Sequence, residues 1–227
     1  MNNQTWLLYL GWSLAAGVVG FSISLLFSGW CGLSRRLYVI PYIGLSGLFL
    51  YAFAVWSEVD LNRLFLNNWY WGLAAAILLG AWMVKNILSQ PASTRTTGFT
   101  LLFDLLWLGV TYGLMDALLL SVLPALATWQ AFALLGWTSI WLGKIIVGLL
   151  AVAASIAVTV AYHLGYTEYR GGKVFGPVIG NTTMTLGYLL TGNPLASILS
   201  HIIMHIAGVL RGPASVIQLP PHYQKEN

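Results

Sequence analysis

The stretch LASILSHIIMHIAGVLR, Leu195–Arg211, is apolar along most of its length yet carries His201 and His205 four positions apart. At 3.6 residues per turn that spacing puts both imidazoles on one helix face. Ionisable groups inside an apolar spanning segment are costly, so they face a protein interior or a water-filled cavity. Read this way, the stretch is a membrane helix with a polar inner face. Two further groups in apolar runs extend the set: His163 closes the run before Leu164-Gly165, and Asp116 sits in GLMDALLLSVLP.

Composition supports that class. The chain has 227 residues, 58% of them hydrophobic and 7% charged, with a mean hydropathy of +0.78. Soluble domains run near 25% charged, so the expected fold is an all-α, polytopic membrane bundle forming one integral domain over 1–227. No length is left for a second, soluble domain. The net charge of +4 follows from positively charged loops on one membrane side, and no basic cluster is dense enough for nucleic acid. Cys31 stands alone, which excludes an intramolecular disulfide. The first apolar run begins at Trp6 without a basic leader and is long enough to remain as a span, so no cleavable signal peptide is expected.

Seven spans can be read, near 6–27, 37–56, 69–87, 99–126, 139–163, 175–190 and 195–210. The last two are short. Pro124 is expected to end the fourth, leaving 125–136 as an interfacial stretch. Trp6, Trp30, Trp56, Trp69, Trp71, Trp129, Trp137 and Trp141 fall near span ends, as in an aromatic belt. Arg35, Arg36, Lys85, Arg95, Arg170, Lys173, Arg211 and Lys225 fall in loops of one side, against Arg63 and Lys144 on the other. The asymmetry predicts an external N-terminus and a cytoplasmic C-terminus. A polar connector covers 89–98, and 213–227 reads as a solvated tail. Gly109-x-x-x-Gly113 and Gly176-x-x-x-Gly180 offer faces for close helix packing. Asn3-Gln4-Thr5 and Asn181-Thr182-Thr183 match the glycosylation sequon, a pattern common by chance.

Asp116, His163, His201 and His205 are the candidate site. Asp104, nearer a span end, is expected to be structural, and His222 a bystander in the tail. Two chemistries suit the set. A carboxylate and a histidine can activate water while other donors hold the oxyanion. Alternatively, His163, His201 and His205 could bind zinc, with Asp116 as ligand, base or outer-sphere partner. The HExxH pattern is absent, since Ile202 occupies its glutamate position.

The later half of the chain adds a resemblance. VAYHLGY at 160–166 and FGPVIGNTTMTLGYLLTGNPLASILSHIIMHIAGV at 175–209 resemble the CPBP family of CAAX prenyl endopeptidases and bacteriocin-processing relatives. The similarity extends over about 112–209. In that family a histidine closes one span, a glycine-rich span ends in a Tyr-x-x-T-G-type turn, and His-x-x-x-Asn follows. Here Tyr188-Leu-Leu-Thr-Gly-Asn193 supplies the turn. The resemblance implies that His163 helps to activate water, that His201 donates to the oxyanion, and that His205 replaces the asparagine. The family's Glu-Glu-x-x-x-Arg motif is degenerate. With Met115-Asp116 at the glutamate pair, Leu120 takes the arginine position and the usual catalytic acid is lost. With Asp116-Ala117 there, the acid survives one methylene shorter and Ser121 takes the arginine position; Thr159 stands at a family phenylalanine. Two expectations follow. One is an intramembrane hydrolase of a bacterial or archaeal cytoplasmic membrane, a peptidase acting on membrane-embedded or lipidated peptides. The other is an inactive relative serving as a membrane scaffold, assembly factor or accessory subunit for another membrane protein.

Overall fold

The computed structural model describes residues 5–170 and 172–212, and these are helical with no strand among them. The helices are α1 Thr5–Trp30, α2 Arg35–Ser57, the short α3 Leu61–Leu66, α4 Trp69–Leu88, α5 Gly98–Leu134, α6 Trp141–Leu164, α7 Phe175–Thr191 and α8 Leu195–Arg211. Five of them (α1, α2, α4, α5 and α6) are long and apolar enough to cross a membrane. This is a membrane-embedded helical protein. The expected tail at 213–227, with His222 and Lys225, lies outside the described residues, as does Asn3.

The centre of the bundle is α5. In its most apolar window 67% of the residues are buried, against 22–33% for the other four long helices. A helix that is apolar all round and carries few charges belongs in the interior, and α5 is one. Contrary to expectation, Pro124 does not end it. The helix runs on to Leu134, and 121–128 are buried rather than interfacial.

Proline is tolerated there because its defect is repaired from outside. Pro124 has no N–H to give the carbonyl of Leu120, four residues back. That carbonyl instead accepts the Ser155 hydroxyl of α6 at 2.7 Å and the Asn181 amide of α7 at 3.3 Å. The backbone opens into a wide π-helical turn at Leu118–Val122, just before the proline. Such turns relieve the clash that a proline ring makes in a regular helix.

From this point a buried polar knot spreads between the three helices. Asn181 Nδ2 also reaches Ser155 Oγ at 2.9 Å and Thr159 Oγ1 at 2.6 Å. Ser121 donates to Asn181 Oδ1 at 2.6 Å, and Thr185 lies 3.0 Å from Ser121 and 2.9 Å from Ser155. In an apolar interior such groups gain by satisfying one another. The Asn181 sequon is therefore a structural amide, 5% exposed inside the bundle.

The last helix is pinned along its length. A Cβ on Gly113 would stand 3.0 Å from Ile202 Cα, and one on Gly109 would stand 2.9 Å from Ile206 Cγ1, so α5 and α8 touch backbone to backbone. The expected small-residue face at 109–113 is used in this contact. Gly80 of α4 accommodates Ile203 in the same way, 2.7 Å from where a Cβ would be. At its start, Asn193 donates to the carbonyls of Phe65 and Asn67 at 2.9 and 2.6 Å. At its end, Arg211 grips the Gln90 carbonyl at 2.9 and 2.7 Å.

These contacts sort the helix ends into two groups. Arg36 pairs with Asp104 through two bonds of 2.7 and 2.8 Å, and Thr96 adds a third at 2.8 Å. Asp104 is thus a structural anchor, tying the start of α5 to the start of α2. With the Arg211–Gln90 contact, this places the ends of α2, α4, α5 and α8 that carry most of the basic residues at one pole. Asn193 and the α3 loop mark the other.

The repair of Leu120 makes a coupled prediction. Ser155→Ala should cost about 1 kcal/mol, the usual range for hydrogen bonds in membrane bundles. In a Pro124→Ala background, which restores an N–H for Leu120, the same change should cost less than half as much. Denaturation in mixed micelles across the double-mutant cycle measures this, and strict additivity would contradict the repair.

Candidate functional site

Asp116 lies in Tyr112–Ala117, the α-helical piece of α5 between wide turns at Leu105–Thr111 and Leu118–Val122. Each wide turn re-aims the residues beyond it, and such turns collect at functional positions. The carboxylate is buried, 6% exposed, and both oxygens are held. Oδ1 accepts the Tyr42 hydroxyl of α2 at 3.0 Å. Oδ2 faces His205 Nε2 of α8 at 3.4 Å.

These partners fix the histidine tautomers. An ionised carboxylate can only accept, so His205 Nε2 carries the hydrogen and Nδ1 of the neutral ring keeps its lone pair. That Nδ1 is buried and has no hydrogen-bond partner among the described residues. His163 donates from Nδ1 to the Thr159 carbonyl at 2.8 Å, and His201 from Nδ1 to the Ser197 carbonyl at 2.9 Å. Both contacts run four residues back along the same helix, which leaves Nε2 as the acceptor on each neutral ring. As neutral rings all three imidazoles accept protons; they donate at the free nitrogen only once protonated.

The four expected residues share one cavity of about 430 Å³. Asp116, His163, His201 and His205 line it, together with Asn181 and Tyr112, and apolar walls come from Trp82, Met83, Met184 and Met204. Its lining reaches Gln90, Gly176 and Pro177, so the cavity extends toward the basic pole. The carboxylate bonds to His205, and no hydrogen bond joins it to His163, the histidine to which the resemblance assigns water activation. Among the described residues no group of three or more His, Cys, Asp or Glu is arranged to hold a metal ion.

Sequence reasoning overlooked the tyrosines. Tyr38, Tyr42, Tyr112, Tyr162 and Tyr166 are all buried. The hydroxyls of Tyr162 and Tyr112 lie 2.6 Å apart, and the Tyr166 hydroxyl lies 2.6 Å from that of Tyr38 and 2.5 Å from that of Tyr162, donating to one of them and accepting from the other. Tyr42 stacks on Tyr38 with ring centroids 5.8 Å apart, and Tyr112 meets the His205 ring edge-on at 4.9 Å. The cluster is the wall behind Asp116. Its signal was present as two i, i+4 pairs, Tyr38/Tyr42 and Tyr162/Tyr166, each presenting one helix face.

The chain matches no family description, no curated protein and no solved structure, so the site stands on its own geometry.

Tyr42→Phe removes the donor from a buried carboxylate oxygen, and should lower stability by about 1–3 kcal/mol. Tyr51→Phe, on the exposed face of the same helix, should change it by less than about 0.5 kcal/mol. Equal midpoints for the two variants in thermal unfolding would contradict the bond to Asp116.

Proposed function

We propose that the protein is an intramembrane hydrolase, a divergent relative of the CPBP family, cleaving peptide bonds in membrane-embedded or lipidated substrates. One observation carries the reading: Asp116, His163, His201 and His205, drawn from three helices, line a single buried cavity. Burying a carboxylate among imidazoles is costly unless it is used or paired.

The chemistry follows from the tautomers. A water in the cavity transfers a proton to an imidazole lone pair as its oxygen attacks the substrate carbonyl. At His205 that nitrogen is Nδ1, and the Asp116 carboxylate on the opposite edge stabilises the imidazolium, as in other carboxylate–histidine pairs. The proton then passes to the leaving amine. His163 and His201, whose free Nε2 atoms accept, hold the water or take up a proton and stabilise the oxyanion. Asp116 thus acts through His205, in place of the glutamate base of the resembled family.

A second reading is supported by the same pair. Tyr42 and His205 already occupy both oxygens of Asp116, as in a purely structural network, and the protein would then be an inactive membrane scaffold or accessory subunit. Hydrolysis of a quenched fluorescent lipopeptide in proteoliposomes separates the two. Asp116→Asn and His205→Ala should each reduce turnover by at least about 100-fold, with unfolding midpoints that still report a folded bundle. No turnover by the wild-type chain, or undiminished turnover in both variants, rejects the hydrolase. Zinc bound by His163, His201 and His205 would appear in metal analysis as a stoichiometric ion lost in His205→Ala.

We further infer that α7 and α8 also cross, giving seven spans, with the N-terminus outside and the basic pole in the cytoplasm. Cys31 is the sole cysteine, and it is exposed beside the α1–α2 turn at the basic pole. A membrane-impermeant maleimide should label it in inverted vesicles and not in intact cells; the reverse would invert the topology.

A further inference from the structure

A second cavity of about 600 Å³ lies at the pole opposite the basic one, between the start of α1, the α2–α3 turn, the end of α5 and the end of α7. Nothing in the hydrolase reading uses it. Its rim carries Glu58, Asp60 and Arg63, its wall Trp129 and Gln130, and its interior Tyr188.

These groups have unspent bonding capacity. Tyr188 is 6% exposed, yet its hydroxyl meets no protein partner among the described residues. The Gln130 amide and the Trp129 indole N–H likewise make no bond there. Glu58 and Arg63 bring opposite charges to one rim without forming an ion pair among the described residues. Asp60 caps the Arg63 backbone N–H at 2.9 Å, which leaves the guanidinium itself unengaged. Glu58 also holds a left-handed backbone, φ 51°, at a helix end where glycine or asparagine is usual. The Tyr188 hydroxyl is not sealed among packed side chains, so a guest in the cavity can bond to it, and the exposed Glu58, Asp60 and Arg63 place both signs of charge on one rim.

We propose that this cavity binds a zwitterion, a molecule carrying an ammonium next to a phosphate or carboxylate. The ammonium sits against Glu58 and Asp60 beside the Trp129 ring, where acids and an aromatic face both favour a cation. The anion faces Arg63, and the hydroxyl of Tyr188 and the amide of Gln130 bond to the ligand's polar body. Two sources share this chemistry: a free aminoalkyl phosphate or amino acid, and the headgroup of a phosphatidylethanolamine entering from the adjacent leaflet. The proposal does not depend on the hydrolase reading.

Calorimetric titration of the purified full chain in maltoside micelles tests it, with phosphoethanolamine, dihexanoyl phosphatidylethanolamine and dihexanoyl phosphatidylglycerol as probes. At least one of the first two should bind saturably, at least about tenfold more tightly than the glycerol lipid. Binding by free phosphoethanolamine assigns a soluble ligand; binding by the ethanolamine lipid alone assigns a headgroup. Tyr188→Phe should weaken it several-fold, and Arg63→Gln, an exposed change that leaves the fold intact, about tenfold or more. His163→Ala, in the other cavity, should leave it unchanged. Equal binding of the glycerol lipid, indifference to both Tyr188→Phe and Arg63→Gln, or no binding at all would overturn the proposal.

Discussion

A single missing hydrogen at Pro124 organises the middle of the bundle. In water, a carbonyl stranded by proline would simply be hydrated. In hydrocarbon it must find a protein donor, and Leu120 finds two, on different helices. Those donors bring their own neighbours. Ser121, Thr159 and Thr185 complete a knot that fixes α6 and α7 against α5 without a charged group. Thr159 then turns its carbonyl to His163. A backbone defect and a site imidazole are thus joined through one threonine.

The same economy of donors governs the wall of the site. Asp116 is, with Asp104, one of two buried carboxylates among the described residues, and the phenol and imidazole that meet it come from helices distant in the chain. Behind Tyr42 the other phenols satisfy one another, because a buried hydroxyl with no partner would cost more than a crowded one. Polarity inside the bundle is therefore concentrated in two places, the knot beyond Leu120 and the ring of phenols behind the carboxylate, with the cavity between them.

Much of this was legible in the sequence, and the limits have physical causes. The long spans are one-dimensional signals, and their apolar runs end where α1, α2, α4 and α6 end, to within three residues. The four site residues could be picked out because charge is rare in such runs. The continuation of α5 past Pro124 could not be read, since its compensation lies on Ser155 and Asn181, far away in the chain. Asn181 itself was masked by a sequon, a surface motif that says nothing of depth. The buried tyrosines were overlooked because a neutral phenol does not stand out in an apolar run. Which histidine meets Asp116 depends on the rotation of α8 about its axis, and that is set by Gly109 and Gly113 meeting Ile206 and Ile202.

That pinning divides the cavity into unequal jaws. With Asn193 at one end, Arg211 at the other and glycine contacts between, α8 has no slack through which to slide or roll. His201 and His205 are carried on a fixed rail. The facing side is softer: where α7 passes α4, Gly180 meets only the flexible tip of Met83, a contact that yields by a rotamer change rather than a backbone shift. A guest too large for the resting cavity would therefore be accommodated by rotamer changes of Met83 and its methionine neighbours in the lining, while α7, held by the Asn181 knot, and the imidazoles keep their places.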